Sequence, residues 1–411
     1  MKIAFKTLGC KLNQYDTQLL REMAEGASYE ITDFNGSADI YVINTCSVTM
    51  NAVQQSRNIV RRARRRSKDA KIIITGCYPE EIRGRLPEAD IYVTNSKKTS
   101  YFENLFSLRK NSISKFDEHT RAFVKIQTGC NSFCSYCIVP YLRDKEYSRP
   151  MEDILNEITA LVKNGFKEIT LTGVHIGRYI YRGKNFVKLL IEIENIKGLE
   201  RIRLGSLNPD EICDELINLV STSPKICHHF HISLQSADEK ILQAMGRNYN
   251  PSDIACKLIG IKKIIDDCGI GADIITGFPG EQELEFQNTY SYIKDLPFTY
   301  LHVFRYSPRK RTLAAIFPDT INELEKKRRS ALLRELGLKK SIEFRKRYIN
   351  KDLRVLMETK RDRLTKMMVG FSGNYIRVLI PETENGKNKF MNVLIERITG
   401  YDTYGRILTN G

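Results

Sequence analysis

The chain has 411 residues, 42% hydrophobic and 28% charged, a balance that excludes disorder and at this length predicts two or three domains with cores of their own. No run of 18 apolar residues occurs, and MKIAFKTLGCKLNQYD turns polar too soon for a signal peptide, so a cytoplasmic protein is expected. Lys and Arg number 65 against 49 Asp and Glu, a net charge of +16 that suits a polyanionic partner, either nucleic acid or an anionic membrane surface.

The N-terminal segment, expected to span residues 1–112, alternates the strand-like runs KIAFKTL, DIYVINT, KIIITG and IYVTN with helical sequence. That pattern predicts a Rossmann-like, doubly wound α/β domain with parallel strands whose C-terminal ends share one edge. A linker is expected near residues 110–119. The central segment, 118–345 with its trailing helix, offers six strands, AFVKIQ, EITLTG, RIRLGS, HFHISL, ADIITG and YLHVFR. Its length suits an open (β/α)6 barrel better than a closed eight-unit one. A charged helix is expected over about 321–347, and the last stretch, 346–411, carries the strand-like runs DLRVLMET, NYIRVLI and FMNVLIERITG of a small all-β barrel.

Ten cysteines in a reducing compartment point to metal or cluster ligation wherever they are grouped. In GCNSFCSYCIVP, Cys130, Cys134 and Cys137 lie on one short loop after a strand. Three thiolates on a cubane iron–sulfur cluster leave one iron open for a small chelating co-substrate. A structural zinc site is the competing explanation, but it wants a fourth ligand that the loop lacks. Cys10, Cys46 and Cys77 each follow a predicted strand, in TLGC, INTC and ITGC, so parallel strands would gather them into a second three-thiolate site. Cys213, Cys227, Cys256 and Cys268 lack ligand spacing and are expected in the core.

Together, TLGCKLNQYDTQ, INTCSVTMNAVQQSR, IIITGCYPEE and GCNSFCSYCIVP resemble the radical S-adenosylmethionine (radical SAM) methylthiotransferases over essentially the whole chain. The first motif is most similar to the branch that modifies N6-threonylcarbamoyladenosine beside the tRNA anticodon. The resemblance implies two 4Fe–4S clusters, a sulfur-donor cluster on Cys10, Cys46 and Cys77 and a radical-generating one on Cys130, Cys134 and Cys137. It also implies S-adenosyl-L-methionine as radical source and methyl donor, a C-terminal OB-like TRAM module, a low-potential electron donor such as flavodoxin or ferredoxin, and a monomer. Three further motifs resemble the superfamily: LTGVHIG, HISLQSA and DIITGFPGE. They imply co-substrate contacts at Gly173, Ser233, Gln235, Gly277 and Gly280, although glycines there also suit ordinary tight turns.

Three places depart from the family pattern: residues 143–150 lack a common glycine and arginine, Ala237 replaces a glycine, and Lys310 and Arg311 stand where Pro-Gly is frequent. RNIVRRARRR puts Arg57, Arg61, Arg62, Arg64, Arg65 and Arg66 on one helix, either a solvated face, as charge runs commonly are, or, with few acidic residues interleaved, a contact for the tRNA anticodon stem-loop; Lys346 and Arg347 form a second patch. Phe371, Tyr375, Tyr401 and Tyr404 suit either base stacking or a core. Rival activities are methylthiolation of isopentenyladenosine or of a ribosomal-protein aspartate. The rival of another class is a non-catalytic iron–sulfur RNA-binding protein.

Overall fold

The computed structural model describes residues 1–77, 86–117, 119–143, 145–318, 321–381 and 386–408. Tyr78 to Glu81 of the third N-terminal motif, Glu118 of the linker and Asp144 of the divergent loop lie outside the described residues.

In the N-terminal part, β1 (Lys2–Thr7), α1 (Lys11–Gly26), β2 (Glu30–Thr32), β3 (Ile40–Thr45), α2 (Met50–Arg66), β4 (Lys71–Gly76), β5 (Ile91–Tyr92) and α3 (Asn95–Phe106) form a parallel sheet flanked by helices. The sheet order is β2-β1-β3-β4-β5. Ile-Tyr-Val-Ile-Asn-Thr of β3 is buried throughout, as a central parallel strand covered on both faces must be. Two apolar cores result, one around Val42 and Phe102 and the other around Tyr41 and Val60. Helix α2 starts where the Thr49 side chain accepts a hydrogen bond from the Ala52 N–H, filling one of the orphan donors of a helix start.

The central part contains β6 (Ala122–Lys125), β7 (Gln127–Thr128), α4 (Val139–Leu142), β8 (Tyr147–Ser148), α5 (Met151–Lys163), β9 (Glu168–Thr172), β10 (Ile180–Tyr181), β11 (Lys184–Asn185) and α6 (Phe186–Glu194). It continues through β12 (Arg201–Arg203), β13 (Ser206–Leu207), α7 (Asp214–Thr222), β14 (His229–Gln235), α8 (Glu239–Ala244), α9 (Pro251–Ile264), β15 (Gly269–Thr276), α10 (Glu283–Asp295), β16 (Tyr300–Arg305) and α11 (Glu323–Lys346). Two parallel sheets, β12-β9-β6 and β13-β14-β15-β16, are joined because residues 201–207 run from one into the other. At the break stands Gly205, where a Cβ would come within 2.7 Å of the Leu171 carbonyl oxygen. Among the described residues the edge strands β6 and β16 do not pair, so the barrel is partial. Helix α1 lies against the β6 edge and sends Tyr15 into the central core.

In the C-terminal part, β17 (Asp352–Arg361), β18 (Met368–Ser372), β19 (Arg377–Ile380), β20 (Phe390–Thr399) and β21 (Asp402–Ile407) close into a barrel in the order β17-β18-β19-β21-β20. Arg201 Nη2 donates to the Phe371 carbonyl at 2.8 Å, and Arg203 donates to those of Ser372 and Gly373 at 2.9 and 3.0 Å. Both guanidiniums bind Glu168, which is fully buried. This clamp fixes the small barrel to the start of β9 and to β12.

One sequence expectation needs correction. Cys227 and Cys268 are buried, but Cys213 and Cys256 are exposed: the first caps α7 and the second stands on the outer face of α9. Spacing without ligand character excluded a shared site but did not distinguish a helix's inner face from its outer one.

Candidate active site

Cys10, Cys46 and Cys77 follow β1, β3 and β4, three adjacent strands of one parallel sheet, so the three sulfurs share its C-terminal edge. Cys10 is exposed, Cys46 and Cys77 buried. The loops approach closely because Gly9 (φ +90°) has no side chain: a Cβ there would lie 2.7 Å from Cys46 Cβ and 2.8 Å from its sulfur. Gly76 (φ +94°) is confined in the same way, 2.4 Å from Asn44 Oδ1. Asn13 ties the β1 and β3 loops, its amide donating to the Leu8 and Thr45 carbonyls at 2.9 Å each. Burial pushes the Cys46 thiol up to about 11, and its neighbours Cys77 and Cys10 add to the shift. Massed thiols of this kind favour a cationic ligand that neutralises them.

Cys130, Cys134 and Cys137 lie between β7 and α4, all half-buried. The loop is held from below, Ser135 N–H donating to the Met245 carbonyl at 3.0 Å and its hydroxyl to that of Ala244 at 2.7 Å. Burial pushes Cys137 up to about 12. At Cys130 burial is outweighed by hydrogen bonds from His175 and Ser132, and the pKa falls. His175 sits 4.0 Å from the Cys130 sulfur and 2.7 Å from Glu211.

Neither trio draws its sulfurs within 4.8 Å of one another among the described residues. A tetrahedral zinc, at about 2.3 Å per sulfur, needs them closer than that. As donor sets both trios therefore fit a multi-iron cluster better than one ion, and each leaves a coordination position without a protein ligand.

A cavity of about 250 Å³ joins the two halves of the site: Cys137 lines one wall, Val48 and Thr49 from the loop after Cys46 line another, and Gln235, Asp273 and Tyr306 complete it. Arg143 holds the halves together. Its Nη2 donates to Asn13 Oδ1 at 2.6 Å and its Nη1 lies 3.8 Å from Asp16. Asp16 also binds Lys98 at 3.0 Å and Lys125 at 2.8 Å.

Below the cavity the barrel interior is polar. Tyr300 OH bonds His229 Nε2 at 2.8 Å and His231 Nδ1 at 2.9 Å, while Asp273 lies 3.0 Å from His231 and 3.3 Å from His302. Burial pushes His229 well below the ordinary histidine range, which makes it neutral. His231 and Asp273 open two of the motifs read from the sequence, but their grouping with His229, Tyr300 and His302 was not anticipated. The signal was there, because His229, His231, Asp273, Tyr300 and His302 alternate with apolar residues at a period of two.

Of the expected co-substrate contacts, Gln235 (φ +65°) lines the cavity. The Ser233 carbonyl accepts from Arg247 at 2.6 Å. Gly173 is packed against Gln127, 2.9 Å from where a Cβ would stand. Gly277 (φ +70°) donates its N–H to Glu281 and abuts Lys326, whereas Gly280 (φ +88°) faces open space. Burial pushes the Glu281 carboxyl up to about 7 even with Arg329 at 2.9 Å. Arg311 adopts φ +74°, a conformation that explains why glycine suits that position.

The basic helix α2 is less free than its sequence implies. Arg61 pairs with Glu88 at 3.2 Å, Arg64 with Asp90 at 2.6 Å, and Arg62 bonds Asn35, while Arg57 is half-buried. Arg65 and Arg66 remain exposed. Arg347 pairs with Asp266. Tyr375 packs against His229 and Tyr300 with Phe371 beside it, so these two rings serve the interface with the central barrel. Tyr404 lies under Arg397, and Tyr401 is exposed. No helix among the described residues is long and apolar enough to cross a membrane.

Comparison with known proteins agrees with this arrangement. Residues 2–96 match the model of "Uncharacterized protein family UPF0004" and residues 124–293 that of the radical SAM superfamily. The threonylcarbamoyladenosine tRNA methylthiotransferase MtaB of Bacillus subtilis is 38% identical over 96% of this chain and 93% of its own length. The tRNA-2-methylthio-N(6)-dimethylallyladenosine synthase of Syntrophus aciditrophicus is 32% identical over 94% and 87%. Among solved structures, the radical SAM methyltransferase TsrM of Kitasatospora setae superposes with a TM-score of 0.59 over 77% of this chain and 75% of that one at 14% identity, a likeness of fold. With one cysteine trio on the N-terminal sheet edge, another on the loop before α4, and relatives of this kind over most of its length, the chain belongs to the radical SAM methylthiotransferase family.

Proposed function

We propose that the chain is a tRNA methylthiotransferase that replaces the hydrogen on carbon 2 of N6-threonylcarbamoyladenosine, next to the anticodon, with a methylthio group. The observation that carries the reading is the cavity walled by Cys137 on one side and by the segment after Cys46 on the other. A base lodged there would lie between Cys137 and the segment that follows Cys46. The 38% identity to the threonylcarbamoyladenosine enzyme, against 32% to the dimethylallyladenosine enzyme, supports the choice of substrate.

Cys130, Cys134 and Cys137 would hold one 4Fe–4S cluster and Cys10, Cys46 and Cys77 a second. With S-adenosyl-L-methionine these supply the electron, the radical, the methyl group and the sulfur that an unactivated C–H bond demands. The protein's own contribution is placement. Asn13 and Arg143 fix the first trio against the barrel, Ser135 anchors the second, and the apolar cavity walls exclude water. A base must leave its stack to enter, which costs little in an anticodon loop. Arg65 and Arg66 on α2 and the closed C-terminal barrel, read as an OB-like TRAM module, would meet the RNA backbone. The reading also places the protein in the cytoplasm, as a monomer served by a flavodoxin- or ferredoxin-type reductant.

The test is to digest tRNA from cells with and without the protein and quantify modified nucleosides by mass spectrometry. Loss of the 2-methylthio form with accumulation of N6-threonylcarbamoyladenosine is the expected result. An unchanged profile would overturn it and point to the ribosomal-protein substrate; a change confined to isopentenyladenosine would reassign the substrate within tRNA.

A further inference from the structure

Lys11 follows Cys10 directly and is the first residue of α1. Its ammonium lies 5.9 Å from the centre of the Phe123 ring on β6. Phe123 stands opposite Thr170 in the β6–β9 ladder, on the same sheet face as Glu168, whose buried carboxylate is held by Arg201 and Arg203. The half-buried side chain therefore reaches the inner face of the unpaired β6 edge rather than lying along the outer surface.

The charges of the barrel interior and of the β6 edge have partners. Arg201 and Arg203 hold Glu168, His231 and His302 hold Asp273, and Glu358 holds Arg121 at 2.8 Å. Lys11 makes no hydrogen bond or ion pair with any described residue. The ammonium keeps contact with solvent and is held by no described acceptor, so an arriving anion gains a charge-assisted partner by displacing water alone. Asp273 on β15 lines the cavity beside Cys137 and is held by His231 and His302, so the cavity opens onto the barrel interior that the β6 edge borders.

The substrate named above carries such an anion. Its N6 substituent ends in the carboxylate of threonine, whereas an isopentenyl substituent is uncharged. Carbon 2 and N6 flank N1 on the same edge of adenine, so a base that turns carbon 2 toward the Cys10 trio also turns its N6 substituent toward the residue next to Cys10. Resting on the substrate reading of the preceding section, we propose that Lys11 is the specificity-determining residue that pairs with the carboxylate of the threonylcarbamoyl group. A phosphate of the RNA backbone or the carboxylate of S-adenosylmethionine offers the same chemistry, and the experiment separates these sources.

Anticodon stem-loop RNA bearing N6-threonylcarbamoyladenosine is compared with the same RNA carrying the threonine as its methyl ester, using reconstituted wild type, Lys11→Met and Lys11→Arg. Iron and sulfide content checks that the site at Cys10 still loads. The wild type should prefer acid over ester by roughly ten- to a hundredfold in kcat/KM, the range of a hydrogen bond to a charged group. Lys11→Met should lose that preference by slowing on the acid alone, and Lys11→Arg should restore part of it. Equal loss on both RNAs with a shallower salt dependence would assign Lys11 to a phosphate. Loss of 5'-deoxyadenosine formation without RNA would assign it to S-adenosylmethionine. Either result, or a wild type indifferent to the ester, overturns the inference and leaves the functional reading standing. A wild type that ignores both RNAs but modifies one bearing isopentenyladenosine overturns the functional reading and this inference with it.

Discussion

Replacing Asp16 with asparagine should loosen the N-terminal sheet from the barrel and uncouple the two halves of the site. The carboxylate is 5% exposed and faces Lys98 at 3.0 Å, Lys125 at 2.8 Å and Arg143 at 3.8 Å. Burial opposes its ionisation, but Lys125, Lys98 and Arg143 outweigh burial and hold the carboxyl far below the ordinary range. Asparagine keeps the shape and removes the charge, leaving the Lys98 and Arg143 side chains, 8% and 5% exposed, without their counter-ion. Breaking a buried pair in this way costs about 3–5 kcal/mol. Two of the three cations, Lys125 and Arg143, lie in the central part, so much of that cost falls on docking, a shift of about a hundredfold or more in the docked fraction at 1.4 kcal/mol per decade. The measurements are limited proteolysis in the 107–117 stretch and the ratio of methylthiolated RNA to 5'-deoxyadenosine formed. Cleavage should quicken and the ratio fall. The sign with pH follows from the depressed carboxyl: the stabilisation is present above the unfolded value near pH 4 and fades as pH falls below it, so the variant should lose part of the acid limb. Unchanged proteolysis together with an unchanged product ratio would refute the argument.

Gly76→Ala combines a left-handed φ with a Cβ 2.4 Å from Asn44 Oδ1, and should cut the iron content at Cys10, Cys46 and Cys77 while 5'-deoxyadenosine formation persists. Glu168→Gln leaves Arg201 and Arg203 buried without a counter-charge, and thermal denaturation should show a loss of about 3–5 kcal/mol at neutral pH. Because the Glu168 carboxyl, against the cost of burial, is held at about 2 by Arg203 and Arg201, its contribution holds above about pH 4.5 and fades toward pH 2; an acid titration of the variant should lack that component. Changing Arg65 and Arg66 together to alanine should weaken tRNA binding and lower the slope of log affinity against log salt by about two; an unaltered slope would remove α2 from the interface.

The strands were legible where β-branched residues ran together, as in Ile-Ile-Ile of β4, and where turn glycines closed the run. Strands β2, β18 and β21 escaped notice because they are short or broken by Gly370 and Gly405, and their pairing is decided by neighbours distant in sequence. The cysteine placements were legible because a strand's C-terminal end is a local feature. The Asp16 cluster was not, since its cations lie 82 to 127 residues away and only the packing of α1 on β6 brings them together. Arg143 belonged to a stretch noted only for a missing glycine and arginine, yet it spans both halves of the site. Tyr375 was open between a stacking platform and a core position, because composition does not say which way a ring turns, and its ring is spent on His229 and Tyr300.

Helix α1 begins beside a thiol of one trio and within two turns carries Lys11, Asn13, Tyr15 and Asp16, which face the barrel interior, two loop carbonyls, the central core and the cation cluster in turn. These tasks are phased by the helix's own pitch. Inserting a single residue near its start would rotate everything beyond it by about 100° relative to Cys10 and misdirect every contact at once, whereas a residue added after β5 or in the 107–117 stretch is absorbed locally. The spacing between Cys10 and Asp16 thus behaves as a gauge length, as strictly set in number as its contact residues are in kind.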